Sequence, residues 1–233
     1  MKQISLCITT YNRCDMTIEC FLNIMSDERI GEIIIVDDAS DIEIYNELES
    51  ICKHLPKVKL YRNEFNINCY LNKMKSIELS SFDWVAILDS DNIFNKDYLD
   101  AIYNYEPIWD DKIIYAPTFA KVNFDYREFS GKQITKENIN EYWERPMFQT
   151  ALNTSNYFFN KNEFLKHFDT SVNPITSEAL FTNYNWLNAG NSILFVPEMC
   201  YEHRVHPNSH YILNNHKTVD FNISLIEKYK QLK

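Results

Sequence analysis

Along the first 92 residues, short apolar runs alternate with stretches in which apolar positions recur every three to four residues. Ile4-Ser5-Leu6-Cys7-Ile8-Thr9 reads as a strand, and the spacing then predicts a helix over 14–25. The β-branched run Glu32-Ile33-Ile34-Ile35-Val36 follows, then a helix over 42–52, a strand over 58–61 and a helix over 71–79. Trp84-Val85-Ala86-Ile87-Leu88 is the fourth strand. Strands alternating with helices predict an α/β fold, with a parallel sheet covered on both faces. The carboxyl ends of parallel strands share one edge, and the loops that follow them open a crevice there. Three strands run into polar loops: Thr9-Thr10-Tyr11-Asn12-Arg13, Asp37-Asp38-Ala39-Ser40-Asp41 and Asp89-Ser90-Asp91-Asn92. These segments are expected to converge on one site.

The second half is less regular. A helix is predicted over 95–103 and a strand over 113–116, and 124–147 reads as a polar, aromatic-rich loop with a short helix. Asn160 and Glu163 form a capping-box-like helix start. Ser177 opens a helix that ends at Gly190, 192–196 reads as a strand, and 216–233 as an amphipathic helix. No repeat or linker divides the chain. We therefore expect one domain over 1–233: a ligand-binding half over 1–92, a second half over 93–215, and the terminal helix. Tyr142, Trp143, Phe148, Tyr157 and Trp186 belong to the core or stack on a ligand.

The sharpest chemical signal is the pair Asp89 and Asp91. Two carboxylates flanking one small residue at a strand end repel each other unless a cation neutralises them. Oxygen donors of this kind suit Mg²⁺ or Mn²⁺, with Mg²⁺ commonly shared with substrate phosphates. The alternative is a polar turn, since Asp, Ser and Asn all favour turns.

A net charge of −10 over 233 residues argues against nucleic acid as partner, because nonspecific binding needs a basic surface. It also means that a phosphorylated ligand requires local neutralisation, which a divalent cation supplies. The three glycines exclude a Walker A loop and a G-x-G-x-x-G loop. Six scattered cysteines show neither Cys-x-x-Cys nor zinc spacing, and read as reduced thiols of a cytoplasmic protein. No apolar run reaches membrane-spanning length. Met1-Lys2-Gln3 leads straight into the first strand, which leaves no room for a signal peptide. Val219, Ile223, Ile226 and Tyr229, with Lys217, Lys228, Lys230 and Lys233, give the last helix two readings: packing on the domain or lying at a membrane surface.

Together these motifs resemble the family-2 glycosyltransferases of the GT-A fold. The resemblance rests on Ser5 to Arg13, Ile33 to Ser40, Leu60 to Asn66 and Ile87 to Asn92. Phe168-Asp169, Glu178, Ala189-Gly190 and Arg204-Val205-His206-Pro207-Asn208-Ser209 continue it in order. It implies a nucleotide-diphospho-sugar transferase fold with a mostly parallel central sheet. It also implies a UDP-sugar donor, a glycan or lipid-linked sugar acceptor, a role in glycan biosynthesis and an inverting, metal-dependent reaction. By the family pattern Thr9, Tyr11, Arg13 and Asp38 face the nucleoside, with Asp37 beside them. Asp91 is the principal ligand for Mn²⁺ or Mg²⁺, and Asp89 lies between ribose and metal. Lys73 stands near the donor, where the family often has arginine. Arg204 and His206 lie where a C-terminal loop closes over diphosphate and metal, so His206 is a further metal ligand.

The sequence departs from the pattern at three places. Phe65 replaces a glycine, Asn92 a third aspartate, and Ala179 the aspartate that is usually the base. Glu178 is the candidate base, with Asp169 second. Both also have plain structural readings, as a helix-start charge and a turn former. His203, His206 and His210 lie close together but lack the carboxylate pair that would make a zinc cluster. Two other functions fit the Asp89–Asp91 pair. One is a nucleotide-sugar-binding protein without transferase activity, and the other is a phosphatase that uses an aspartate nucleophile.

Overall fold

The computed structural model describes residues 1–207, 209–214, 216 and 219–232. Lys217, Lys233 and the side chain of His210 lie outside the described residues. In chain order, β1 (Ile4–Thr10), α1 (Cys14–Phe21), β2 (Ile30–Asp37), α2 (Ile42–Cys52), β3 (Val58–Arg62), α3 (Asn68–Glu78) and β4 (Trp84–Asp89) form the first half. Then come α4 (Lys96–Tyr103), β5 (Ile113–Lys121), β6 (Phe124–Asp125), β7 (Gln133–Ile134), α5 (Phe148–Leu152), β8 (Phe158–Asn160) and α6 (Lys161–Lys166). The last are α7 (Glu178–Asn188), β9 (Ser192–Glu202), α8 (His210–Asn214) and α9 (Val219–Lys230).

The strands form one sheet in the order β3-β2-β1-β4-β8-β5-β9-β7, with β6 paired to β5. β1 is the most protected strand, with parallel neighbours β2 and β4, and all its residues are buried. The expected four-strand parallel core is therefore present. Its register sets the site: Thr9 lies opposite Val36 and Asp89, and Thr10 opposite Asp37. The three polar loops thus leave the sheet at one level.

Three features depart from the predicted elements. The helix expected over 14–25 ends at Phe21 and continues as a 3-10 turn, Leu22–Ile24. The strand expected over 113–116 runs on to Lys121, with a register shift between Pro117 and Phe119, where a proline is tolerated. Most consequential is β8, a three-residue strand that inserts antiparallel between β4 and β5. An antiparallel strand brings the loop before it to the crevice edge, so residues 153–157 reach the site.

Asn160 caps α6 as expected, accepting from the amides of Asn162 and Glu163. Glu163 does not complete the box; its carboxylate takes Lys166 and His167 instead. The final helix packs through Leu225, Tyr229 and Leu232, with the Tyr229 hydroxyl donating to the Leu180 carbonyl at 2.6 Å. Its buried stripe is shifted from the expected one, leaving Val219 and Ile223 exposed. Trp143, Phe148, Tyr157 and Trp186 are core residues, and Tyr142 packs against Phe129 and Phe148. Among the described residues no helix is long and apolar enough to cross a membrane.

Candidate functional site

The crevice edge is built from backbone conformations that side chains rarely adopt. Asn12, Ala39, Asn68 and Ser177 all have φ between 53° and 70°. Such geometry is costly outside glycine and persists where the surroundings hold it in place. Here the loops knit together. Asn12 donates its amide to Ser40 Oγ at 2.8 Å, and its Oδ1 accepts the Asp41 amide at 2.8 Å.

Asp37 and Asp38 have different jobs. Asp37 is fully buried, and both its oxygens accept from Ser40, one from the hydroxyl and one from the amide. Burial pushes its carboxyl above the usual range. The structure thus places Asp37 inside the turn rather than on the crevice. Asp38, 4 % exposed, accepts from Asn63 Nδ2 at 2.8 Å and the Ile67 amide at 2.9 Å. Its carboxylate therefore anchors the loop that leads into α3. Asp38→Ala leaves those donors unsatisfied, so a loss of about 1–3 kcal/mol in stability is expected, read as a lower urea midpoint.

The two signature carboxylates each face protein cations. Asp91 Oδ2 accepts from Arg13 Nη1 at 2.9 Å and lies 3.1 Å from His206 Nε2. Asp89 Oδ1 accepts from Lys73 Nζ at 2.8 Å, and the Asp89 amide donates to Asn156 Oδ1 at 3.0 Å. The Asp91–His206 pair fits a divalent cation. Two neighbouring donors of an octahedral ion held at about 2.1 Å lie roughly 3 Å apart. Ser90 Oγ and Asn92 Oδ1, on either side of Asp91, are buried without a hydrogen-bond partner among the described residues.

Arg204 meets the aspartate loop from outside. Its guanidinium donates to the carbonyls of Asp91 (2.6 Å), Met16 (2.9 Å) and Ser90 (3.1 Å), and pairs with Glu19 at 2.5 Å. It braces the loop that carries Asp91 rather than presenting its fork to a diphosphate. His203 is held by Asn123, whose Nδ2 lies 2.8 Å from Nδ1, and burial lowers its pKa.

Glu178 is the first residue of α7, set there by the left-handed turn at Ser177. Its Oε1 accepts from Lys73 Nζ at 2.9 Å, with Ser155 Oγ at 3.5 Å. The next residue, Ala179, is buried. It lines a small, largely apolar cavity with Tyr70, Phe164 and Phe168, and Lys73, Ser155 and Glu178 border the same cavity. Glu178, not position 179, therefore presents its side chain to the aspartates through Lys73. Asp169 lies elsewhere, in a turn where the Ser171 hydroxyl and amide hold its carboxyl below its usual pKa. Thr9 is buried at the edge and Tyr11 is exposed beside it. Sequence reasoning missed Ser155, Asn156 and Asn63. The polar run Asn153-Thr154-Ser155-Asn156 was the available signal.

Residues 5–168 match the sequence profile of "Glycosyl transferase family 2". An uncharacterized glycosyltransferase of Mycoplasma genitalium is 26% identical over 139 residues, covering 51% of this chain and 46% of the relative. Its Mycoplasma pneumoniae homolog is 24% identical over 172 residues, covering 70% and 54%. The chain thus spans about half the length of these curated relatives. S. aureus TarS residues 1–349 share the fold, with a TM-score of 0.68 at 16% identity over 97% of this chain and 70% of that one. The strand order, the aspartates at the end of β4 and the match over residues 5–168 agree: this chain belongs to glycosyl transferase family 2.

Proposed function

We propose that the chain transfers a sugar from a nucleoside diphosphate donor, a UDP-sugar, to a hydroxyl of a glycan or lipid-linked sugar, with inversion at the anomeric carbon. One observation carries this reading: Asp89 and Glu178, 89 residues apart in sequence, meet on one lysine at the sheet edge that also holds Asp91. A donor-side carboxylate and a candidate base thus stand side by side.

In the proposed reaction the acceptor oxygen bonds to the anomeric carbon. The bond from that carbon to the β-phosphate oxygen breaks, and its electron pair leaves with UDP. Glu178 takes the acceptor proton as the bond forms, which makes the oxygen a better nucleophile. A single displacement inverts the centre. Asp91 and His206 would hold Mn²⁺ or Mg²⁺, which when bound supplies positive charge to the departing diphosphate. Thr9, Tyr11 and Asp38 border the nucleoside side, so Asp38→Ala should weaken UDP and uridine alike by calorimetry. The six free cysteines fit a reducing compartment.

The test is a panel of UDP-hexoses with Mn²⁺ or with EDTA, read by thermal shift and by UDP release. Stabilisation by UDP-sugars that vanishes in EDTA supports the reading, and indifference to the cation sinks its metal-dependent form. Metal-dependent binding without UDP release from any donor would favour a binding protein that does no transfer.

A further inference from the structure

Lys73 stands where the family often carries a donor-facing arginine, yet its surroundings point another way. It lies on the buried face of α3 between Tyr70 and Ile77 and is 5 % exposed. An ammonium group has three N–H donors. All three have acceptors at short range: Ser155 Oγ at 2.6 Å, Asp89 Oδ1 at 2.8 Å and Glu178 Oε1 at 2.9 Å. No donor is left over for a diphosphate. With two carboxylates against one buried ammonium, Lys73 is a fixed cation rather than a proton carrier.

We infer that Lys73 is a positioning residue, which ties the Glu178 carboxylate to the Asp89 edge and fixes its orientation toward the acceptor. This rests on the transferase reading above. Glu178 Oε1 is taken by Lys73, whereas Oε2 accepts no hydrogen bond among the described residues. One oxygen is thus anchored and the other is available to an acceptor hydroxyl. Ser155 completes the cradle from the loop before β8, which the antiparallel insertion of that strand brings to the edge. A carboxylate held on one side by a rigid, buried cation starts in the orientation in which it reacts. The proton still moves from the acceptor oxygen to Glu178, and Lys73 keeps its own three protons throughout.

A double-mutant cycle with Lys73→Met and Glu178→Gln tests this, because it separates acting through Glu178 from acting on the donor. UDP release is followed with the UDP-hexose that the wild type turns over fastest, and UDP binding with Mn²⁺ by calorimetry. Lys73→Met is expected to lower kcat by about 10–100-fold, less than the roughly 10²–10⁴-fold lost with the base itself. UDP affinity should stay within about threefold of the wild type, and kcat of the double variant within about threefold of Glu178→Gln alone, since the path through Glu178 is already lost. Multiplying losses, or a raised donor KM with unchanged kcat, would make Lys73 a donor ligand and overturn the inference.

Lys73→Met leaves two carboxylates facing each other, so Ser155→Ala is run through the same cycle, with a smaller loss expected and the same non-additivity required. Crystal structures of the wild type and Lys73→Met with UDP and Mn²⁺ decide the matter without turnover. Glu178 should leave its present place in the variant while UDP stays bound. An unmoved Glu178 overturns the inference. If Glu178→Gln instead turns over at the wild-type rate, it is the transferase assignment of the base that fails.

Discussion

Glu178→Gln is expected to retain UDP and Mn²⁺ binding while sugar transfer falls by about 10²–10⁴-fold, the usual cost of removing a general base. The substitution preserves shape and removes the charge and the proton acceptor. Lys73 keeps Asp89 and Ser155 as partners, so the cradle should survive. The expected signature is therefore a fall in kcat with little change in donor KM, as for an interaction made only during the reaction. Neighbouring carboxyls offer little to replace it. Asp169 is locked in its turn by Ser171, and Ala179 has no carboxyl to offer. Wild-type turnover by Glu178→Gln would reduce Glu178 to a helix-start charge. NMR of the product anomer checks inversion independently.

The parallel half of the sheet was legible because β1, β2 and β4 are buried runs and each of the four strands has a clear helix after it. The register that aligns Thr9 with Asp89 follows once the strands are parallel. The antiparallel insertion was not legible. Phe158–Asn160 is too short to show a period, and its partners are far apart in sequence. Ser155 and Asn156 were missed for that reason: they reach the edge only because β8 runs backward. The Lys73–Glu178 pair had a faint local trace, a lysine at helical spacing between Tyr70 and Ile77 on what must be the buried face of α3. A buried lysine demands a carboxylate, but nothing local says which one. Arg204 shows the converse difficulty. Its position near the aspartate loop was readable, whereas its use as a brace on backbone carbonyls depends on where β9 delivers it.

That brace is what makes Asp91→Asn informative, and the expected result is loss of metal-dependent UDP binding without loss of fold. Arg204 holds the loop through the carbonyls of Ser90 and Asp91, which are indifferent to the side chain at position 91. The melting temperature should therefore move by no more than a few degrees, within the range of an ordinary surface change. Cation binding is another matter. An amide oxygen carries no charge, and removing a direct ligand should cost at least the 10–100-fold seen for outer partners, about 100-fold or more here. The variant exchanges the 2.9 Å ion pair between Asp91 and Arg13 for a neutral hydrogen bond, because an amide oxygen still accepts. Calorimetry should then rank UDP affinity as wild type with Mn²⁺ first, with the variant in Mn²⁺, the variant in EDTA and the wild type in EDTA together well below it. Equal affinity of the wild type in Mn²⁺ and in EDTA would remove the cation from the site altogether. A variant that still responds to Mn²⁺ as the wild type does would move the cation away from Asp91, and with it the role of His206, whose Nε2 meets the same carboxylate oxygen at 3.1 Å.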